Sequence, residues 1–399
     1  TIFLSGEGVE RFDPESGRVE PVCFSKESNG MLRIEHRFEA AGDLLLLVRN
    51  EKVSSAPLPE KKERKKLYLP QRFEIARCSE NMLTLEFCRC EIDGKLLFSR
   101  EYVLTIQDEL LKRRCDLPVK LTFDFLVGES YPLGQTLSLL LEHPERYEIH
   151  VNGVRISNCS NGFFADQAFE RVEIGSAVIH GKNAIELELT FHQDPEVYAG
   201  IDASKIFESE KNKLSFQTEI EAVYLCGKFG VATDGIFLPL ERNAVRYQGT
   251  FRLEALPESV DIEHIEASGF PFFAGSITLR QYFDLEKGRE GEKTVVGFRN
   301  LFAHAASIRI NGTEIGVMVR PDYILPIPDG VLKAGKNILE IKLTNSLRNM
   351  LGPLHLEEGE CLGVSPGTFY KDPGVFAPWT PVVWNKDFCF LRFGAERFL

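Results

Sequence analysis

The stretch EIHVNGVRI (Glu148–Ile156), continued by FERVEI (Phe169–Ile174) and IHGKNAIELEL (Ile179–Leu189), occurs twice in the chain. Its second copy is SIRINGTEI (Ser307–Ile315) followed by YILPIPDGVLKAGKNILEIKL (Tyr323–Leu343). In each copy apolar and polar residues alternate up to an Asn-Gly pair, Asn152-Gly153 or Asn311-Gly312, and a second run leaves it. Asn-Gly between alternating runs signals a hairpin, because a two-residue turn that matches strand twist needs positive φ at both positions. A loop with large apolar residues follows, then Gly-Lys-Asn at Gly181–Asn183 or Gly335–Asn337, then a strongly alternating strand. Solenoid repeats recur every ~20–50 residues, and this recurrence is far longer, so it predicts two tandem domains of one type.

Outside the repeat, further strands carry the same pattern. VKLTFDFLV and LSLLLE precede the first copy, and EIEAVYLCGKFGV follows it. YQGTFRL, ITLRQYFDL and TVVGFRN precede the second, and FCFLRF closes the chain. No long amphipathic helix interrupts them, which argues against a parallel α/β sheet. About eight antiparallel strands of this kind make a jelly roll, a double sheet that limits exposed edges. The expected fold class is therefore all-β: tandem jelly-roll β-sandwiches preceded by a small antiparallel β-sandwich. The expected domains are 1–67 (small sandwich and linker), 68–243 (first jelly roll) and 244–399 (second jelly roll). Ile106–Arg114 is the one short helix expected, from apolar residues at Ile106, Leu110 and Leu111. The polar segment 191–217 reads as an irregular excursion.

Composition narrows the class. A hydrophobic fraction of 43% and a charged fraction of 27% are those of a globular protein. The length suggests about two to three domains. The net charge of −12 argues against a nucleic-acid partner. The one basic run, KKERKK at 61–66, follows a Pro-containing segment and reads as a solvated linker. No apolar run is long enough for a membrane span. The nine Cys show no metal-type pairing, and they read as buried, reduced thiols, which points to the cytoplasm. Cys88 and Cys90 share one face of a strand. The chain opens on Thr, with Ile2-Phe3-Leu4 already strand-like, so it is expected to be a piece of something longer.

The end of the second copy adds a motif. Thr344, Asn345, Asn349, Gly352 and Pro353 form Thr-Asn-x-x-x-Asn-x-x-Gly-Pro after the Asn-Gly and Gly-x-Asn elements. Together with GFPFFAGSITLRQYF at 269–283, this resembles the sugar-binding, galactose-binding-like jelly rolls of bacterial glycoside hydrolases of the family 2 type and their rhamnosidase-like relatives. The resemblance covers roughly residues 69–399 and implies a catalytic barrel elsewhere in the parent chain. No alternation of strands and helices like that of a barrel occurs in this sequence. The expectation is thus a non-catalytic accessory region of a bacterial glycoside hydrolase, supporting the missing catalytic domain and binding an oligosaccharide or glycoside. The alternatives are a free-standing carbohydrate-binding protein and a ligand-free structural module.

Glycoside hydrolysis needs two carboxylates facing each other across the bond. Glu219 and Glu221 lie on one strand face, where a solvated surface is the simpler reading. Asp166, between Phe164 and Phe169, reads as a buried loop carboxylate capping backbone N–H groups. No catalytic residue is assigned. Sugar binding needs aromatic faces and polar groups for hydroxyls in a concave site. The densest such mixture gives the candidates Phe272, Phe273, Arg320, Tyr323, Asn349, His355, Trp379 and Trp384. Both Trp lie in FAPWTPVVWNKDF, which reads either as an aromatic rim or as a strap packed on the sandwich. No His pair has metal-ligand spacing, no acidic calcium loop is visible and no cofactor is expected.

Overall fold

The computed structural model describes residues 1–14, 17–38, 43–57, 69–287, 294–321, 323–372 and 382–398. The KKERKK run, the tip of the turn beside Asp13 and the Trp379 segment lie outside the described residues.

Two small antiparallel sheets open the chain. One orders Ile2–Leu4, Leu32–Ile34 and Ser25–Lys26, and the other Arg18–Pro21, Gly8–Asp13 and Leu45–Arg49. Val9, Leu32 and Ile34 are their buried core, with Ile2, Leu4, Val22, Phe24 and Leu46 packed around it. Three fully buried side chains among the described residues make a small core. Its attachment to the rest of the chain therefore matters, and one attachment is ionic. Arg320 reaches from the second repeat to Asp43 at 2.9 Å and Asp13 at 3.4 Å.

Each repeat is built on one long antiparallel pair. Leu117–Val127 pairs without a break with Gly181–Phe191, and Gly275–Leu285 pairs without a break with Gly335–Asn345. Alternation sets the faces. Val119, Leu121, Phe123, Phe125 and Val127 point into the core, while Lys120, Thr122, Asp124 and Leu126 stand on the outer face. The first repeat packs the sheet holding Leu117–Val127 against a five-stranded sheet ordered Phe163–Phe164, Asp166–Glu173, Leu137–Leu141, Val223–Gly227 and Asn81–Leu85. The second packs a six-stranded sheet against Ile324–Pro326, Val295–Phe302 and Gly394–Phe398. All-β jelly-roll sandwiches are the observed architecture.

The repeated turn motifs are held by one hydrogen-bond network, used twice. Asn152 and Asn311 both take φ 51°, with Gly153 at 78° and Gly312 at 83°, as the Asn-Gly reading requires. Asn183 donates to the carbonyls of Ile179 (2.7 Å) and Gly181 (3.1 Å), and its Oδ1 accepts from Ile179 N and Asn152 Nδ2. Asn337 does the same with Lys333 (2.7 Å), Gly335 (2.8 Å), Lys333 N and Asn311 Nδ2. The Asn of each Asn-Gly turn then donates to Ala177 O or Val331 O and accepts from Ala184 N or Ile338 N. Asn183 and Asn337 are buried, so every lone pair and proton they carry needs such a partner.

The two sandwiches are interwoven. Arg72–Cys78, expected with the first jelly roll, instead lies in the second repeat's sheet between Ser259–Asp261 and Gly275–Leu285. Phe73 sits in that second core. In the opposite sense, Phe272, Ala274, Met350, Leu354 and Phe390 are buried in the first core. Asn81, at the crossing, donates to Phe229 O and Gly269 O, and Thr84 donates to Met350 O at 2.8 Å.

The helices depart modestly from expectation. The expected helix spans Val103–Arg113, with Val103, Ile106, Gln107 and Leu110 buried at helical spacing and Arg114 left-handed at its C-cap. The excursion 191–217 carries a second helix, Pro195–Ser204, started by Pro195 at the first turn. Four Cys are buried, but Cys115 and Cys159 are exposed, which corrects the reading of all nine as interior thiols. Asp166 is likewise exposed, though its carboxylate does accept from Ala168 N at 3.0 Å. Among the described residues no helix is long and apolar enough to cross a membrane.

Candidate functional site

The outer face of the first repeat's sheet does not end in open solvent. Residues 249–251 and Phe388, from the segments woven between the sandwiches, stand beside it and close a groove of about 320 Å³. Three half-buried phenyl rings, Phe87, Phe251 and Phe388, line it, and Phe251 lies 5.0 Å from Phe388. Thr122 and Asp124 enter from the outer face of Leu117–Val127, Lys182 from the start of Gly181–Phe191, Arg89 from Phe87–Ile92 and Arg100 from Lys95–Tyr102. The Arg100 guanidinium sits 4.4 Å above the Phe87 ring. Arg89 donates to Glu91. Apolar walls with a few convergent polar groups at this volume are the usual make-up of a small-ligand site.

Beneath the groove lies a buried polar pair. His355 Nε2 is 2.8 Å from Glu86 Oε1, and its Nδ1 is 3.1 Å from the carbonyl of Asp387. Four rings enclose it: Trp384 at 4.6 Å, Phe388 at 5.1 Å, Phe87 at 5.4 Å and Tyr102 at 5.6 Å. Burial, reinforced by the Glu86 charge, pushes the Tyr102 hydroxyl well above its ordinary value.

The eight residues picked out by sequence do not form one site. Phe272 and Phe273 are fully buried and offer no face to a ligand, which corrects their assignment. Asn349 is also buried, and its amide clasps Leu391, donating to its carbonyl and accepting from its N–H. Arg320 is committed to Asp43 and Asp13. Tyr323 is half-buried against the second core, and its carbonyl accepts from Phe298 N. Trp379 lies outside the described residues. Among the described candidates only His355 and Trp384 come together, and they form the support under the groove. The groove residues themselves were missed. Their one sequence signal is that Thr122, Asp124 and Lys182 occupy outward positions of alternating strands, which many surface residues share.

The carboxylates read as a solvated face are partly so. Glu219 and Glu221 flank fully buried Ile220 and are exposed over their residue area, yet they stand beside Glu142. Burial of the carboxyl first, and the Glu142 and Glu219 charges second, push Glu221 up to about 7. Glu219 is raised by the same kind of crowding. Among the described residues no group of three or more His, Cys, Asp or Glu is placed to hold a metal ion.

No family model and no curated protein matches the chain. Solved structures do. A rhamnosidase from Novosphingobium sp. PP1Y is 17% identical with a TM-score of 0.23, over 69% of this chain and 22% of that one. A β-D-mannosidase from Dictyoglomus thermophilum is 13% identical with a TM-score of 0.24, over 70% and 32%. A β-glucuronidase from Bifidobacterium dentium is 12% identical with a TM-score of 0.24, over 68% and 43%. The chain thus spans less than half the length of each of these structures. At such scores the likeness is one of β-rich architecture at most, and no residue role passes through it.

Proposed function

We propose that this chain is the accessory β-sandwich region of a carbohydrate-active enzyme and that it holds a saccharide in the groove over Phe251 and Phe388. The observation that carries this reading is the groove's make-up: half-buried rings for the apolar face of a pyranose, with Asp124, Thr122, Arg100 and Lys182 around them for hydroxyls. The site's chemistry is binding and not hydrolysis. Hydrolysis needs two carboxylates about 5–9.5 Å apart across the bond. Of the two carboxylates lining this groove, Glu86 is buried and bonded to His355, which leaves Asp124 alone at the surface.

The test is titration of the purified chain with oligosaccharides, read by calorimetry, beside the Asp124→Asn and Thr250→Val variants. Saturable binding that either variant weakens several-fold is expected. Release of nitrophenol from aryl glycosides by this chain alone would overturn the accessory role. Unchanged affinity in both variants would move the site elsewhere.

A further inference from the structure

The groove brings cations together around its rings. The protein carries a net charge of −12. Some of its surface cations are paired with carboxylates, among them Lys120 with Glu186 and Glu188, Arg171 with Glu80, Arg280 with Glu340 and Arg114 with Asp202. Arg89, on the groove wall, is likewise paired, with Glu91. Arg100 and Lys182 are not. Neither has a carboxylate partner among the described residues, although both line the same groove and Asp124 lines it too.

Arg100 is held in place without spending its donors. Its guanidinium rests on the Phe87 ring at 4.4 Å, a contact that uses the face of the cation and leaves its N–H edge free. Among the described residues no acceptor takes a hydrogen bond from it. A guanidinium fixed by stacking, with its donors unspent, is pre-organised for a planar or tetrahedral oxyanion. Lys182 adds a second cation at the start of Gly181–Phe191, beside the Asn183 network that fixes the strand's beginning. Two unspent cations against one unspent carboxylate give the groove a positive balance inside an acidic molecule.

We infer that the groove selects acidic saccharides, seating a sugar carboxylate or sulfate ester on Arg100 and Lys182 while the ring lies over Phe251 and Phe388. This rests on the saccharide reading above and adds to it the class of sugar. No bond is made or broken. Asp124 then serves as hydroxyl acceptor and disfavours an anion placed at its own end of the groove, which orients the ligand.

The deciding experiment titrates the intact chain with three probes: a neutral galactan oligosaccharide, an oligogalacturonate and a sulfated carrageenan oligosaccharide. Arg100→Gln and Lys182→Gln are compared with the unaltered protein, with thermal melts as the check on folding. Acidic probes are expected to bind more tightly than the neutral one, less so at high salt, and each variant is expected to lose about tenfold for them and clearly less for the neutral probe. Binding of the oligogalacturonate alone assigns a carboxylate, and binding of the carrageenan fragment alone assigns a sulfate ester. Equal affinity for the neutral probe with unchanged variants overturns the inference and leaves the saccharide reading standing. Binding of none of the three overturns both. Lys182 stands on an exposed strand start, so its variant reads the charge even where Arg100→Gln loosens the Phe87 contact.

Discussion

Asn183 and Asn337 do at single-residue scale what the repeat does at the scale of the chain. Each fastens a loop, a strand start and the preceding Asn-Gly turn through one carboxamide. Removing that buried amide takes the hydrogen-bond partner from backbone groups at Ile179 and Gly181 or at Lys333 and Gly335, and from the side chain of the Asn-Gly turn. A net hydrogen bond contributes about 1 kcal/mol, and a buried group left unpaired costs about 1–3 kcal/mol. Asn337→Ala is therefore expected to destabilise the fold by about 2–4 kcal/mol, visible as a lower denaturant midpoint at unchanged slope. A loss near zero would mean that the network merely accompanies the turn. Glu221 gives a second prediction, in pH. Its carboxyl is raised from an ordinary 4.5 to about 7, so the folded state binds this proton more tightly than the unfolded chain does. Its contribution is fully present below about pH 4.5 and is lost as pH rises through about 7. The charges of Glu142 and Glu219, which face it, add to the rise that burial causes. Glu221→Gln should melt with the unaltered protein at low pH and above it at pH 8. Parallel melting curves across the whole range would show that the carboxyl is solvated after all.

At the scale of elements, legibility followed locality. The Asn-Gly hairpins and the alternating strands were readable because turn chemistry and period-two patterning are written within a few residues. The helix at Val103–Arg113 was readable for the same reason, apart from its first turn, where Val103 is buried but Tyr102 and Val103 read as strand. The helix Pro195–Ser204 was hidden because few of its residues are buried, which leaves almost no apolar stripe to detect. The candidate site failed for a different reason. Aromatic density along the sequence measured core as readily as surface, and Phe272 and Phe273 proved to be core. The groove depends on where Phe388 and residues 249–251 land relative to Asp124 and Lys182, a placement set by long-range strand pairing. Gln107 shows how such pairing is secured. From the helix it accepts from Ile220 N and so pins the segment that carries Glu219 and Glu221.

At the scale of the whole molecule, the interweaving has a consequence that separate beads on a string would lack. A fragment of residues 68–243 would keep the first repeat's long strands but lose Phe272, Met350, Leu354 and Phe390 from its core. It would also present Arg72–Cys78 as a strand without its sheet. A fragment of residues 244–399 would lose Phe73 from the second core and an interior strand from its sheet. Burying a large apolar side chain contributes about 1.5–3 kcal/mol, so losing four from one core removes roughly the whole stability of a domain, about 5–15 kcal/mol. Neither fragment is expected to fold alone, whereas residues 69–399 should unfold in one cooperative transition. The measurement is calorimetry of the three pieces, with the calorimetric and van't Hoff enthalpies compared for the longest. Two separable transitions in residues 69–399, or a folded 68–243 fragment, would show that the shared strands and rings are decoration on independent sandwiches. A single transition would tie the groove to both repeats, since Phe87 and Asp124 come from one and Phe388 from the segment that returns from the other.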